Sequence, residues 1–449
     1  MEYITIWDFI LLPLYIIIIY FIAYKIKSRN IEKRPEYKYY ISGLFVKIFG
    51  GICVCLIYIY YYKGGDTISY YESALAVSNM LYKSSDVFFS ILSGDLSKEN
   101  FSFFDASTSW PPSYIYKDPS TFAVGRFSVP FMFFSFKSYF IVSILIAWAS
   151  FSGIWRLYLL FCENYPDIKK ELAIAILFMP SVFFWGSGLL KDSYTLSAAA
   201  WLVFSIYRII LKKEGLIKYS ISSIISIYIL LSIKPYIFFA ICLGILIWLF
   251  FDRFSKIKST FFKVLILPAM AIIVILVGSI FVSKVGNIVG GEYESVDKLV
   301  EKASITQEDL SRESYGSNSF NIGTFDASIG SLASKAPIAI TAGLFRPFIW
   351  ECNNPVMVLS GLENFAMLLM TIFVIFKVGP RLMFQIMLDN SLVMFSIIFA
   401  VFFAFSVGLT TANFGALVRY KIPLIPFFMS GLFIIIDEYK KDLKRKLEL

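Results

Sequence analysis

The chain contains no histidine among its 449 residues. That removes the side chain whose ordinary pKa lies nearest neutrality, and with it any Ser-His-Asp or Cys-His device and most zinc or haem sites. Charge is scarce too: 16% of residues are Asp, Glu, Lys or Arg, against roughly 25% in a soluble domain. Cysteine is limited to Cys53, Cys55, Cys162, Cys242 and Cys352. All but Cys352 fall within or at the ends of apolar runs, and no disulfide framework or CxxC metal site can be built from them. What is abundant is hydrocarbon, with 58% hydrophobic and 18% aromatic residues. Several apolar runs reach or approach the ~20 residues that cross a bilayer core. The chain therefore reads as a membrane protein, one transmembrane domain over residues 1–449 with the lipid bilayer as its surroundings. The formal charge of +9 would suit a nucleic-acid partner if clustered. Most of the cations fall instead in short loops between apolar runs, where they report topology, and no nucleic acid is expected.

The hydrophobic pattern predicts an all-α polytopic transmembrane helix bundle of about eleven spans. They lie near 6–24, 41–62, 138–161, 172–190, 193–211, 217–233, 235–251, 263–282, 356–376, 391–408 and 422–436. One set of loops holds the basic residues: Lys25 to Lys38, Lys169 and Lys170, Arg208 to Lys218, Arg253 to Lys263, Lys377 and Arg381, and the tail from Lys440 to Lys446. These loops alternate with the others, as the positive-inside rule requires, which puts the N-terminus outside and the C-terminus in the cytosol. The first run, Trp7 to Tyr24, follows Glu2 and precedes a basic stretch, so it reads as an uncleaved span and not as a signal peptide. Two long segments, 63–130 and 283–345, fall on the outer side and are expected to contain amphipathic helices. Long ordered loops usually carry function, which points to work at the outer membrane surface.

Charges at membrane depth are costly and mark candidate sites. Those at span ends away from the basic loops are Asp66, Glu72, Arg126, Lys191, Asp192, Lys234, Arg346, Glu351, Glu363, Arg419 and Lys421. Asp66 follows Gly64 and Gly65. It reads either as an N-cap or as a site carboxylate, opening a helix whose Ile68, Tyr71, Leu75 and Tyr82 would lie on the outer leaflet. Asp192 has the same two readings, while Lys191 and Lys234 are suited to snorkelling towards headgroups. Arg346, Trp350 and Glu351 crowd the start of one span, and Glu363 inside it must face the bundle interior. Arg419 and Lys421 break the positive-inside trend, so a lipid headgroup or a bound phosphate is expected there. As a set, the cations suit a pyrophosphate, and the carboxylates suit removal of a proton from an attacking sugar hydroxyl.

The Gly-Asp-Thr after the second span, the "FWGSGLLKDS" hairpin, the "FRPFIWE" segment and the final "NFGALVRYKIPLIPF" resemble bacterial polysaccharide polymerases. These glycosyltransferases join oligosaccharide repeat units of O-antigen, capsule or exopolysaccharide, and the likeness spans most of the chain. The resemblance implies a multi-pass enzyme of the bacterial inner membrane, acting at its periplasmic face. It would move a growing glycan from undecaprenyl pyrophosphate to another lipid-linked repeat unit, without a nucleotide sugar, metal or other cofactor. A chain-length regulator and a flippase of the same pathway would be its partners. By this likeness Arg346, Arg419 and Lys191, with Lys234, Lys421, Arg126 and Trp350, would hold pyrophosphate and glycan. Asp66, Asp192 and Glu351 would be the candidate bases, and the sequence does not choose among them. The lack of histidine departs from polymerases with an external His and leaves the acid-base assignment open. Two other readings stand beside this one. The first is a glycosyltransferase using a polyprenyl-monophosphate sugar, with Asp66 as base. The second is a flippase or transporter, which predicts charges through the bundle midplane and paired broken helices.

Overall fold

The computed structural model of the protein describes residues 3–254, 296–310, 319–320, 322–326 and 328–448. Among the described residues all regular elements are helical, and the extended pairing is a single antiparallel bridge between Ser319 and Asn413. Helix α1 (Ile6–Asn30) leads to α2 (Tyr40–Leu56), which a 3-10 turn (Pro35–Tyr39) precedes and a π turn (Ile57–Tyr61) extends. Five helices follow: α3 (Asp66–Lys83), α4 (Ser85–Ser93), α5 (Lys98–Ser102), α6 (Ser113–Tyr116) and α7 (Pro119–Phe133). Then come α8 (Tyr139–Asn164), α9 (Lys169–Leu177), α10 (Pro180–Trp185), α11 (Lys191–Ile206), α12 (Leu216–Ile233) and α13 (Pro235–Phe254). The remainder comprises α14 (Val296–Leu310), α15 (Ile329–Phe345), α16 (Pro355–Val378), α17 (Pro380–Asp389), α18 (Ser391–Thr410), α19 (Phe414–Tyr420) and α20 (Ile425–Leu447).

Nine described helical stretches are long and apolar enough to cross a membrane, which makes the chain a polytopic helical bundle. They match nine of the expected spans. Of the other two, 263–282 lies outside the described residues, as do Lys256, Lys258 and Lys263. The other, 172–190, is not one helix. Helix α9 stops at Leu177 and α10 starts at Pro180, after which the chain bends through residues 186–190. Proline has no N–H to continue the ladder and pushes the preceding residue out of the helical region, so the apolar run breaks there.

The chain divides into two compact units, Met1–Asn164 with Val182–Pro235, and Tyr165–Ser181 with Tyr236–Leu449. In the first unit α8 is the central helix, packed on α2 and α11, and α11 in turn packs on α12. Burial along α8 is almost continuous because apolar side chains occupy nearly every face; Ile141, Ile144, Ala147, Leu157, Leu159 and Leu160 are all enclosed. Tyr37 and Tyr40 meet Trp155 edge-on, Phe151 lies tilted beside it, and together they lock α2 to α8.

Helix α3 corrects the expectation of a helix lying on the outer leaflet. Thr67, Ile68, Ser69, Tyr70, Tyr71, Ser73, Ala74, Leu75, Ala76, Val77, Ser78 and Met80 are buried, whereas Tyr82 is 76% exposed. Small serines and alanines on the face opposite the apolar one let α7 pack closely, so burial extends around the helix and a stripe does not form. The "VGRFSVPFMFF" piece is the body of α7, with Val124, Val129 and Met132 enclosed.

In the second unit α18 is central, flanked by α15 and α20. Trp248 of α13 stacks on Phe395 at 5.1 Å, and Phe395, Phe399 and Phe403 continue as a ring column along α18. Helix α14 forms where the apolar spacing of "ESVDKLVEKASITQEDL" predicts it. Helix α15, within the long segment 283–345, runs antiparallel along α18. A Cβ placed on Gly343 would come 2.1 Å from the Ala404 carbonyl oxygen, and one on Gly408 would come 2.0 Å from that of Ala339. Ala339 and Gly343 on one helix thus face Ala404 and Gly408 on the other, a small-xxx-small pair that brings the two backbones together.

Candidate functional site

The charged side chains at helix ends form two clusters, one in each unit. In the first unit the chain leaves the π turn through Lys63, Gly64 and Gly65, all with positive φ (54°, 141° and 104°). Such a run is accessible to glycine at little cost, and it turns the chain sharply into α3. Gly65 occupies the N-cap position, so Asp66 is the first helical residue and not the cap. There its negative charge complements the helix N-terminus. Ser128 of α7 and Tyr194 of α11 share a hydrogen bond of 2.8 Å, which helps to hold α11 against α7.

Lys191 and Asp192 open α11 behind Leu190 at the N-cap. Asp192 is therefore not a cap either. It is buried and paired with Lys234, Nζ to Oδ1 at 2.6 Å, with side chains 3% and 7% exposed. Snorkelling is excluded for Lys234, whose position between α12 and α13 aims its ammonium inward. Half-buried Lys191 donates to Thr121 Oγ1 at 2.6 Å, and the Thr121 hydroxyl donates to Asp118. Asp118 is the N-cap of α7 and also accepts from the Ser120 amide and hydroxyl. Desolvation raises the Asp118 pKa. The hydrogen bond from Thr121, the Lys191 charge and the bonds from Ser120 outweigh it and hold the carboxyl below its ordinary value.

Lys191 lies within electrostatic reach of Asp118, Lys234, Asp66 and Asp192. Four helix junctions, at the starts of α3, α7 and α11 and between α12 and α13, thus deliver five charged groups to one place. Asp118 and Thr121 were not among the residues singled out from sequence. The signal was present in "KDPST", an Asp-Pro helix start, but it reads as an ordinary cap.

Arg126 lies apart from this network on α7. It is buried, and its Nη1 donates to the Leu92 carbonyl at the end of α4 at 3.3 Å, while Nε has no hydrogen-bond partner among the described residues. Burial draws its pKa below the usual guanidinium value, yet the group stays a cation. Glu72 accepts from the Tyr3 hydroxyl at 2.7 Å. Lys47, within α2, went unnoticed in the sequence because it stands alone inside an apolar run. It is buried and donates to the Gly186 carbonyl in the bend after α10.

In the second unit Arg346 and Glu351 face each other bidentately, Nε to Oε2 at 3.1 Å and Nη2 to Oε1. The Phe348 amide also donates to Glu351, at 2.9 Å. The guanidinium lies over the rings of Phe320 and Phe414, 4.5 and 5.1 Å from their centroids. Trp350 is 73% exposed and stacks on Phe348.

Lys421 does not reach a headgroup. It is 0% exposed, and its ammonium donates to the carbonyls of Leu344 (3.3 Å) and Arg346 (3.0 Å) and to the Asn364 side chain. Asn364 in turn donates to the Pro347 carbonyl at 3.1 Å. Lys421 is thus a strut beneath the Arg346 turn, and a bound phosphate cannot touch it without dismantling that turn. Glu363 is buried, as its place inside a span requires, and accepts from the Ser181 amide at 2.6 Å. Arg419 is half-buried in the last turn of α19.

Among the described residues no group of three or more Cys, Asp or Glu side chains converges as a metal site would need. Comparison with family models, with curated proteins and with solved structures finds no match for this chain.

Proposed function

We propose that the protein is a membrane glycosyltransferase that polymerises undecaprenyl-pyrophosphate-linked oligosaccharide repeat units at the periplasmic face of a bacterial inner membrane. The observation that supports this most is the convergence of Asp66, Asp118, Lys191, Asp192 and Lys234 at four helix junctions of the first unit. Glycosyl transfer from a lipid pyrophosphate needs a cation for the leaving group and a carboxylate for the acceptor proton. Of the three candidate bases we assign Asp66, which opens α3 within electrostatic reach of Lys191.

In this scheme the acceptor hydroxyl oxygen attacks the anomeric carbon of the donor as its proton passes to Asp66. The bond from that carbon to the pyrophosphate oxygen breaks, and its electron pair leaves with undecaprenyl pyrophosphate, whose charge Lys191 meets. Arg346 and Arg419 belong to the second unit, and their pyrophosphate role rests on the family resemblance alone.

A second reading, a flippase or transporter for the same lipid-linked glycan, draws on the α9–α10 break and on Lys47 and Glu363 buried within spans. Deleting the gene and resolving the surface glycan on a gel separates the two. A polymerase loss leaves a single repeat unit on the surface and no ladder, whereas a flippase loss leaves no surface repeat. Restoring the gene with Asp66→Asn should keep the single repeat without a ladder, and with Asp66→Glu should recover part of it. A full ladder from Asp66→Asn would remove Asp66 from the chemistry.

A further inference from the structure

The WPPSY segment, residues 110–114, carries two aromatic rings on the surface, Trp110 at 55% and Tyr114 at 63% exposure. Tyr114 lies on α6, a single turn pinned from beneath by its neighbours. Ile115 and Tyr116 are buried, and the Tyr116 ring packs against Phe101, Phe104 and Phe122, with centroids 4.9, 6.0 and 4.9 Å away. The Tyr114 hydroxyl shares a 2.6 Å hydrogen bond with Ser69 of α3. Ser69 stands three residues after Asp66 and so shares its helix face. Four residues past Tyr114 comes Asp118, bonded to Thr121 and through it to Lys191. Tyr114 is thus fixed at the rim of the first cluster, tied to the α3 face that carries Asp66 and four residues before Asp118.

A tyrosine of the interfacial aromatic belt sends its hydroxyl to the headgroups and its ring into lipid. Here the polarity is reversed: the hydroxyl is tied into the protein and the ring face is left open. A rigid, open aromatic face beside carboxylates matches the apolar C–H face of a sugar ring, whose hydroxyls remain available to polar groups at the rim. We propose that Tyr114 is a stacking platform for a hexopyranose unit of the glycan, adjoining Asp66. This rests on the glycan-transfer reading above and adds a subsite to it.

The test uses full-length protein in nanodiscs and, as probe, oligosaccharides released by mild acid from the host's own surface polysaccharide. Binding is followed by saturation-transfer NMR. Tyr114→Leu should weaken binding about ten-fold, the loss of one stacked ring. Tyr114→Phe and Tyr114→Trp, which keep a face, should stay within about three-fold of the wild type. Each variant must match the wild type in size-exclusion profile. Undiminished binding by Tyr114→Leu overturns the platform, as does equal loss in all three variants, which would point to the hydroxyl tie. Absence of binding by the wild type also overturns it. The surface-glycan ladder of the deletion strain judges the transfer reading separately in every case.

Discussion

Lys234 and Asp192 show how much a single side chain can matter in this chain. Both are enclosed, and the ion pair offsets part of the hydration that each has lost. Lys234→Met breaks this enclosed ion pair and should lower stability by about 3–5 kcal/mol, read as loss of thermal stability in detergent. The double variant Lys234→Met, Asp192→Leu removes both charges and should recover most of that loss. If the single variant melts like the wild type, the pair is solvated and not enclosed. Sequence marked both residues, because a Lys and an Asp at span ends stand out in a chain with so little charge. It did not pair them: 42 residues separate them, and each has a plausible local use at its own helix end. The same holds for Lys421, whose partners Leu344, Arg346 and Asn364 come from distant parts of the second unit.

At the scale of elements, the contact between α15 and α18 depends on four small side chains. Gly408→Ala places a methyl group 2.0 Å from the Ala339 oxygen, so the two backbones must separate. We expect a cost of about 1–3 kcal/mol from overpacking, seen as earlier melting, with Gly343→Ala behaving alike. Gly330→Ala, where nothing lies within 4 Å, should be neutral and serves as control. Helix existence was largely legible, since long apolar runs in a bundle admit few alternatives. One element differs from its expectation for a physical reason. The 172–190 run looked continuous because hydropathy does not register the stop that Pro180 imposes. The packing of α15, a helix of 17 residues with serine and lysine near its start, on α18 is not legible from hydropathy. Its Ala-xxx-Gly spacing was the missed signal.

At the scale of the whole molecule, the basic residues set an orientation that can be measured. A phosphatase fused after Leu447 should be inactive and a fluorescent protein there active, because the tail from Lys440 to Lys446 is expected in the cytosol. A phosphatase inserted between Ser93 and Ser97 should be active. The opposite pattern at both positions would invert the orientation and remove the periplasmic assignment of the first cluster.

The antiparallel match of α15 and α18 also sets a timetable. The ribosome makes α15 first, and residues 346 to 410, 65 in all, must follow before α18 is complete. At roughly 5–20 residues per second this takes about 3–13 s. Throughout that interval the alanine-glycine face of α15 lacks the helix it is shaped for, so the second unit cannot close during synthesis of its first half. Its assembly waits on translation of α18.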